Sequence, residues 1–205
     1  MLNLDPLQLS LLVTLLYILV FGGLGYLRRE GLSVQFALES IAVAAVLIGG
    51  SWLLGLRLSP FVLLITLYVV TMRSRLIVDL ANILAQRGRF QPAFRLYALG
   101  LAWWPDRASR LIVLANRGAA ELYSGQVDTA IQTLEGLVKT EQGVRLGPKY
   151  EAACHYNLGY AYEKKGEDAK AVAQYNETID LLPGSLYAKA AQSALNRRKQ
   201  KGSES

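Results

Sequence analysis

Hydrophobic positions are arranged in two different ways along this chain. Up to Met72 they form long runs almost free of charge, whereas from Arg73 onward they recur at helical spacing among charged residues. The first run, Leu7–Leu27, carries no charge and ends at Arg28-Arg29. About 20 apolar residues in a helix cross the ~30 Å hydrocarbon core of a bilayer, so this run is expected to span. The second run, Phe36–Leu56, is interrupted only by Glu39 near its start. The third follows Ser59-Pro60, an N-cap residue and a first-turn proline, and continues from Phe61 to Met72. Alone it covers only about 18 Å. A full span therefore needs Leu54–Leu58, or the apolar residues through Val78 with neighbouring arginines snorkelling to the headgroups. Three transmembrane helices, about 7–27, 36–56 and 58–73, then make up a membrane domain over residues 1–73.

A signal peptide competes for the first run. It would need a basic start and a small-residue cleavage site, but Met1–Tyr26 contains no Lys or Arg and no A-x-A follows. Ala45 and Gly49 offer a small-residue step for close helix packing, although an Ala/Gly-rich span carries such pairs by composition alone. Glu39 is expected at the membrane interface. Arg28-Arg29 lie between the first two runs, Arg57 between the second and third, and Arg73, Arg75, Arg87, Arg89 and Arg95 beyond the third. The positive-inside rule puts the first and last groups in the cytoplasm, with the N-terminus outside. Two spans would separate these groups, so the charges favour three.

From Arg73 the organising stretch is Ala152–Pro183. It places Leu158-Gly159, Tyr162, Gly166, Ala171, Tyr175 and Pro183 at fixed offsets. This pattern resembles the tetratricopeptide repeat, a helix–turn–helix unit. Carried upstream, Gly118, Gly125 and Ala130 keep the spacing of Gly159, Gly166 and Ala171. Gly88, Ala93, Tyr97 and Pro105 keep that of Gly166, Ala171, Tyr175 and Pro183. Three units follow, about 74–107, 111–144 and 152–185, with a capping helix 186–199 and a flexible tail 200–205. The turn glycines are 37 and 41 residues apart, against about 34 in a regular array. The extra residues fall between units, near Ala108–Arg110 and Arg145–Glu151. Small Ala93, Ala130 and Ala171 permit helices to approach opposite the larger Tyr97, Leu134 and Tyr175.

The first two units depart from the pattern. Ala81 and Leu84 replace Gly159 and Tyr162 in unit one. Arg117 and Glu121 replace Leu158 and Tyr162 in unit two, and Gln142 replaces the closing proline. No Gly or Pro interrupts Phe61–Arg87. A single helix over Pro60–Arg87 would mount the array rigidly on the membrane. The fold class expected is all-α: N-terminal transmembrane helices, then an α-solenoid of three tetratricopeptide-like pairs and a C-terminal capping helix.

Charge sharpens this division. Of 205 residues, 52% are hydrophobic and the net charge is +6. Arg28, Arg29 and Arg57 balance Asp5, Glu30 and Glu39 up to Met72, so the excess belongs to the remainder. Beside a membrane, Arg73, Arg75, Arg87 and Arg89 are expected to contact anionic headgroups. No nucleic-acid motif accompanies the basic residues, and nucleic acid is not an expected partner. The single cysteine excludes an intrachain disulfide and fits a reducing compartment.

No nucleotide loop, metal-ligand cluster or cofactor motif is present. Asp79, Asp106, Asp128 and Asp180 stand isolated in the sequence. Cys154 and His155, the only residues of their types, are adjacent and so point about 100° apart on a helix, which does not make a nucleophile–base pair. His155 falls where the repeat has a tryptophan in a packing role. No enzymatic activity is expected.

The resemblance implies a protein-binding groove lined by the first helix of each unit. It would carry Val78, Asn82 and Gln86, then Ile112, Ala115, Asn116, Ala119 and Tyr123, then Ala153, Tyr156, Tyr160 and Glu163. Some tetratricopeptide proteins clamp a peptide carboxylate with asparagines and basic side chains. Asn82 and Asn116 match those asparagines, but Val78 and Ala153 stand at the lysine positions and Asn157 at the arginine position. A chaperone-tail binder is therefore not expected. Tyr123, Tyr156 and Tyr160 suit an extended or helical apolar peptide. The function expected is a membrane-anchored scaffold or adaptor that binds proteins or assists assembly at the cytoplasmic face of an inner or similar energy-transducing membrane. The alternative is an accessory subunit of a large respiratory or photosynthetic complex.

Overall fold

The computed structural model describes residues 5–27, 33–139 and 146–203. Arg28, Arg29 and Glu30, on which part of the orientation argument rests, lie outside the described residues, as do Gln142 and the last two residues of the expected tail. Every described element is helical. The N-terminal part comprises α1 (Pro6–Leu27), α2 (Val34–Leu53) and α3 (Pro60–Thr71). Three hairpins follow: α4 (Arg73–Gln86) with α5 (Phe90–Ala102), α6 (Arg107–Tyr123) with α7 (Val127–Val138), and α8 (Pro148–Lys165) with α9 (Asp168–Leu181). α10 (Leu186–Ser203) closes the array. It runs past the expected end at 199, because nothing before Gly202 in its last turns opposes a helix.

The first three helices bury hydroxyl residues among apolar ones and leave most of their leucines outside. α1 buries Ser10, Thr14 and Tyr17, one stripe at helical spacing, and exposes Leu11, Leu15, Leu19 and Val20. α2 buries Phe36, Ser40 and Ala44 and exposes Leu38, Ile41 and Val46. Ala45 also faces outward and Gly49 has open space at its Cβ position, so the buried small-residue step is Ser40–Ala44, five positions before Ala45 and Gly49. Leu63 and Leu67 of α3 complete this core. The buried hydroxyls bond backward onto helix carbonyls, Thr14 to Ser10 O at 2.9 Å and Ser40 to Phe36 O at 2.8 Å, and Tyr17 reaches Thr71 at 2.7 Å. Water would draw such hydroxyls out and push the leucines in, whereas a lipid solvent favours the arrangement observed. α1 and α2 are long and apolar enough to cross a membrane. α3 reaches that length only if counted together with α4.

A continuous helix over Pro60–Arg87 does not occur. α3 and α4 meet at Met72 with a 68° bend. The cause lies far away in sequence. Arg73 Nη1 donates to Val70 O, a terminal carbonyl of α3, at 2.8 Å and to Glu39 Oε2 of α2 at 2.5 Å. Its Nε and Nη2 donate to the carbonyls of Trp103 and Trp104 at 3.0 and 2.9 Å. A straight helix would carry Arg73 away from these partners.

The three hairpins share one turn. Gly88, Gly125 and Gly166 adopt φ of 72°, 89° and 74°. In each, the following N–H bonds a carbonyl five residues back: Arg89 to Leu84, Gln126 to Glu121, Glu167 to Tyr162. This is the Schellman closure, which needs a left-handed residue. Behind the turns Ala93, Ala130 and Ala171 are fully buried, and Tyr97, Leu134 and Tyr175 pack across from them. Gly159 is needed for closeness: a Cβ there would lie 2.7 Å from the Tyr175 ring.

Unit two explains its own departures. Glu121, standing where unit three has Tyr162, is 2% exposed. Its carboxylate accepts from Arg117 Nε and Thr133 Oγ1, both at 2.8 Å. The two departures are thus one paired substitution, with the charge satisfied inside the hairpin.

Candidate protein-binding groove

The first helices α4, α6 and α8 present an inner surface. Val78, Ile112 and Ala115 are buried in the packing beneath it. Asn82, Asn116, Tyr156, Tyr160 and Glu163 are half-buried, and Tyr123 is 59% exposed.

Aromatic rings form its far end. Tyr123 of α6 and Tyr160 of α8 lie 6.3 Å apart between centroids, and Tyr156 lies 6.0 Å from Tyr187 of α10. Lys164 Nζ sits 5.0 Å over the Tyr160 ring. Burial raises the Tyr123 hydroxyl above its usual range, and the neighbouring hydroxyls of Tyr156, Tyr160 and Tyr187 add to it. Four tyrosine rings share this end. Tyr187 was not expected here, and its position beyond the third unit hides it from the repeat pattern.

Glu163 is held from within. It accepts from the Tyr175 hydroxyl at 2.7 Å and stands 3.8 Å from Arg198 of α10, which also pairs with Asp168.

The two asparagines bond one another across units. Asn82 Nδ2 donates to Asn116 Oδ1 at 3.0 Å, Tyr97 donates to Asn82 Oδ1 at 2.6 Å, and Asn116 Nδ2 donates to Ile112 O at 2.8 Å. Desolvation pushes Tyr97 up to about 12, so it stays a donor. The pair divides two cavities and lines both. One, about 450 Å³, lies between units one and two, with Gln86, Phe90 and Tyr123 in its wall. The other, about 320 Å³, lies between the array and the first three helices, with Phe21, Tyr68 and Met72 on one side and Arg75 and Asp79 on the other. Asn157 and Val78, at two of the clamp's basic positions, are buried.

The expected membrane-surface arginines separate. Arg73 is occupied at the bend. Arg75 Nε lies 3.4 Å from Ser109 Oγ and faces the smaller cavity. Arg87 and Arg89 are exposed at the α4–α5 turn. Cys154 is 1% exposed, and burial pushes its thiol up to about 12. His155 Nδ1 is 2.7 Å from Gln174 Oε1 of α9, away from the thiol.

Residues 152–185 match the tetratricopeptide repeat family. This stretch of the chain is a tetratricopeptide repeat. The match covers the third hairpin, and the first two repeat its turn and its packing without its full residue pattern. Tetratricopeptide repeats generally mediate protein–protein interaction, and the match suggests a protein-binding scaffold or adaptor role. No curated protein and no solved structure matches the chain significantly.

Proposed function

We propose that this tetratricopeptide protein is a membrane-anchored adaptor without chemistry of its own, which holds an apolar segment of a partner protein at the cytoplasmic face of an energy-transducing membrane. The observation that carries this reading is the continuity of its inner surface. The same Asn82–Asn116 pair lines the inter-unit cavity beside Tyr123 and the cavity walled by Phe21 and Tyr68 of the membrane helices. A ligand lying along the tyrosines is thereby led toward the bilayer. Residues 1–73 serve as the anchor, with α1 and α2 spanning and α3 completing a third pass. The inside-out packing of α1 and α2 supports the membrane assignment, and the arginines from Arg73 onward support a cytoplasmic array. The protonated, buried Cys154 and the separately engaged His155 support an absence of catalysis.

A photo-crosslinking residue at Tyr123, with a second at exposed Glu177 on α9 as control, tests the groove in cells. A discrete protein adduct at Tyr123 and none at Glu177 is the expected result. Equal labelling at both sites refutes it. Protease treatment of sealed vesicles from the cytoplasmic side is expected to digest the array.

The outward-facing leucines of α1 favour one second reading, a permanent subunit whose membrane helices pack against a larger complex. Purification in mild detergent separates the two: fixed stoichiometry favours the subunit, substoichiometric clients the adaptor.

A further inference from the structure

All three tryptophans of the chain are exposed, and they lie at two levels of the membrane half. Trp52 stands in the last turn of α2, 80% exposed. Trp103 and Trp104 belong to the water-exposed half by sequence, in the link between α5 and α6, and are 51% and 82% exposed. Their backbone is nevertheless fastened to the opposite end of α2. The Trp104 carbonyl accepts from Gln35 Nε2 of the first turn of α2 at 3.0 Å and from Arg73 Nη2 at 2.9 Å. The Trp103 carbonyl accepts from Arg73 Nε at 3.0 Å. Arg73 is itself held by Glu39 of α2 and by the Val70 carbonyl of α3, so the link is tied to both helices at once.

The fastening twists the chain. Trp104 has φ 40°, the one non-glycine residue with positive φ among those described. A bulky side chain resists that conformation, so the surrounding bonds must impose it. With both carbonyls engaged, the indoles stay exposed, as do Leu99 of α5 and Leu38, three residues after Gln35 in α2. From Gln35 to Trp52 a helix rises about 26 Å, close to the ~30 Å hydrocarbon thickness. The tryptophan levels therefore mark the two edges of one apolar slab. Tryptophan favours such edges because its ring is apolar and its N–H is polar.

The geometry points to a lipid-binding element: the Trp103–Trp104 link inserts into the headgroup boundary of the bilayer that α2 spans, and so moors the first tetratricopeptide unit to the membrane. This rests on the membrane reading above and adds a contact made by the array itself.

Single-tryptophan proteins separate the two claims. One retains Trp104 (W52F and W103F) and one retains Trp52 (W103F and W104F), with folding checked by circular dichroism. Each full-length chain is reconstituted in phosphatidylcholine–phosphatidylglycerol vesicles in which part of the phosphatidylcholine is brominated, either near the headgroup or near the chain end. The Trp104 protein is expected to lose most of its emission to headgroup-proximal bromines, less to deep ones, and to resist acrylamide. The Trp52 protein is expected to be quenched by bromolipid as well. Quenching of Trp52 with Trp104 unquenched overturns the inference and leaves the membrane reading intact. Shielding of Trp104 from both acrylamide and bromolipid overturns it in favour of a protein contact. If neither is quenched, both readings fall. Arg73→Gln, which releases the fastening, is expected to weaken headgroup-proximal quenching of Trp104 while leaving Trp52 unchanged. Unaltered Trp104 quenching in that variant refutes the role given to the clamp.

Discussion

At the scale of single residues, burial and pairing decide what each group does. The Cys154 thiol, raised to about 12, stays protonated and enclosed. Its reaction with a thiol reagent at pH 8 is expected only after denaturant is added, and prompt labelling of the native chain would contradict the burial. The sign for stability follows from the raised value. The preference for the neutral thiol favours the fold below the unfolded-state value near 8.5 and is lost as pH climbs toward 12. Glu121 is buried as well, its carboxylate accepting from Arg117 and Thr133. Arg117→Ala is expected to lower unfolding free energy by about 1–3 kcal/mol, since it strips a buried acceptor of one partner. A chemical-denaturation midpoint unchanged from wild type would refute this. Sequence alone registers Arg117 and Glu121 as two separate departures from the repeat. Their meaning depends on Thr133, across the turn in α7, and no offset within one helix announces it.

At the scale of elements, the hairpins were legible because their geometry needs particular residues. A left-handed turn needs glycine, and the Gly159–Tyr175 contact needs a missing side chain. Gly159→Ala is expected to cost about 1–3 kcal/mol by overpacking, measurable as a fall in melting temperature. The bend at Met72 was not legible, because a scan for helix breakers sees only local residues, and the bend is set by Glu39 and the two tryptophan carbonyls. Where α7 meets α8, Tyr162 donates to Glu135. The hydrogen bond from Lys139 and then that from Tyr162 hold the Glu135 carboxyl below its usual range. A lowered value stabilises above the unfolded-state figure of about 4.3 and is lost as pH falls through the folded one. Acidification is therefore expected to speed amide exchange in α8 relative to α4, and Glu135→Gln to flatten that dependence.

At the scale of the whole molecule, the proposed anchor and the helix-pair array call for two different solvents. Detergent removal is expected to aggregate the full protein, driven by the outward leucines of α1 and α2, and light scattering checks it. The repeat register made the array readable from unit three outward. The asparagines were legible as positions but not as partners, since Asn82 and Asn116 come from different units and meet only when these stack. The bend has a kinetic consequence. α4 has 14 residues and so is about 21 Å long, and at 68° from α3 it climbs only about 8 Å along the α3 axis. On the proposed membrane reading, the near end of the groove is thus kept close to the bilayer. A client tethered to the same membrane would search for it in two dimensions at high effective concentration, so modest contacts would suffice for capture and release could stay fast.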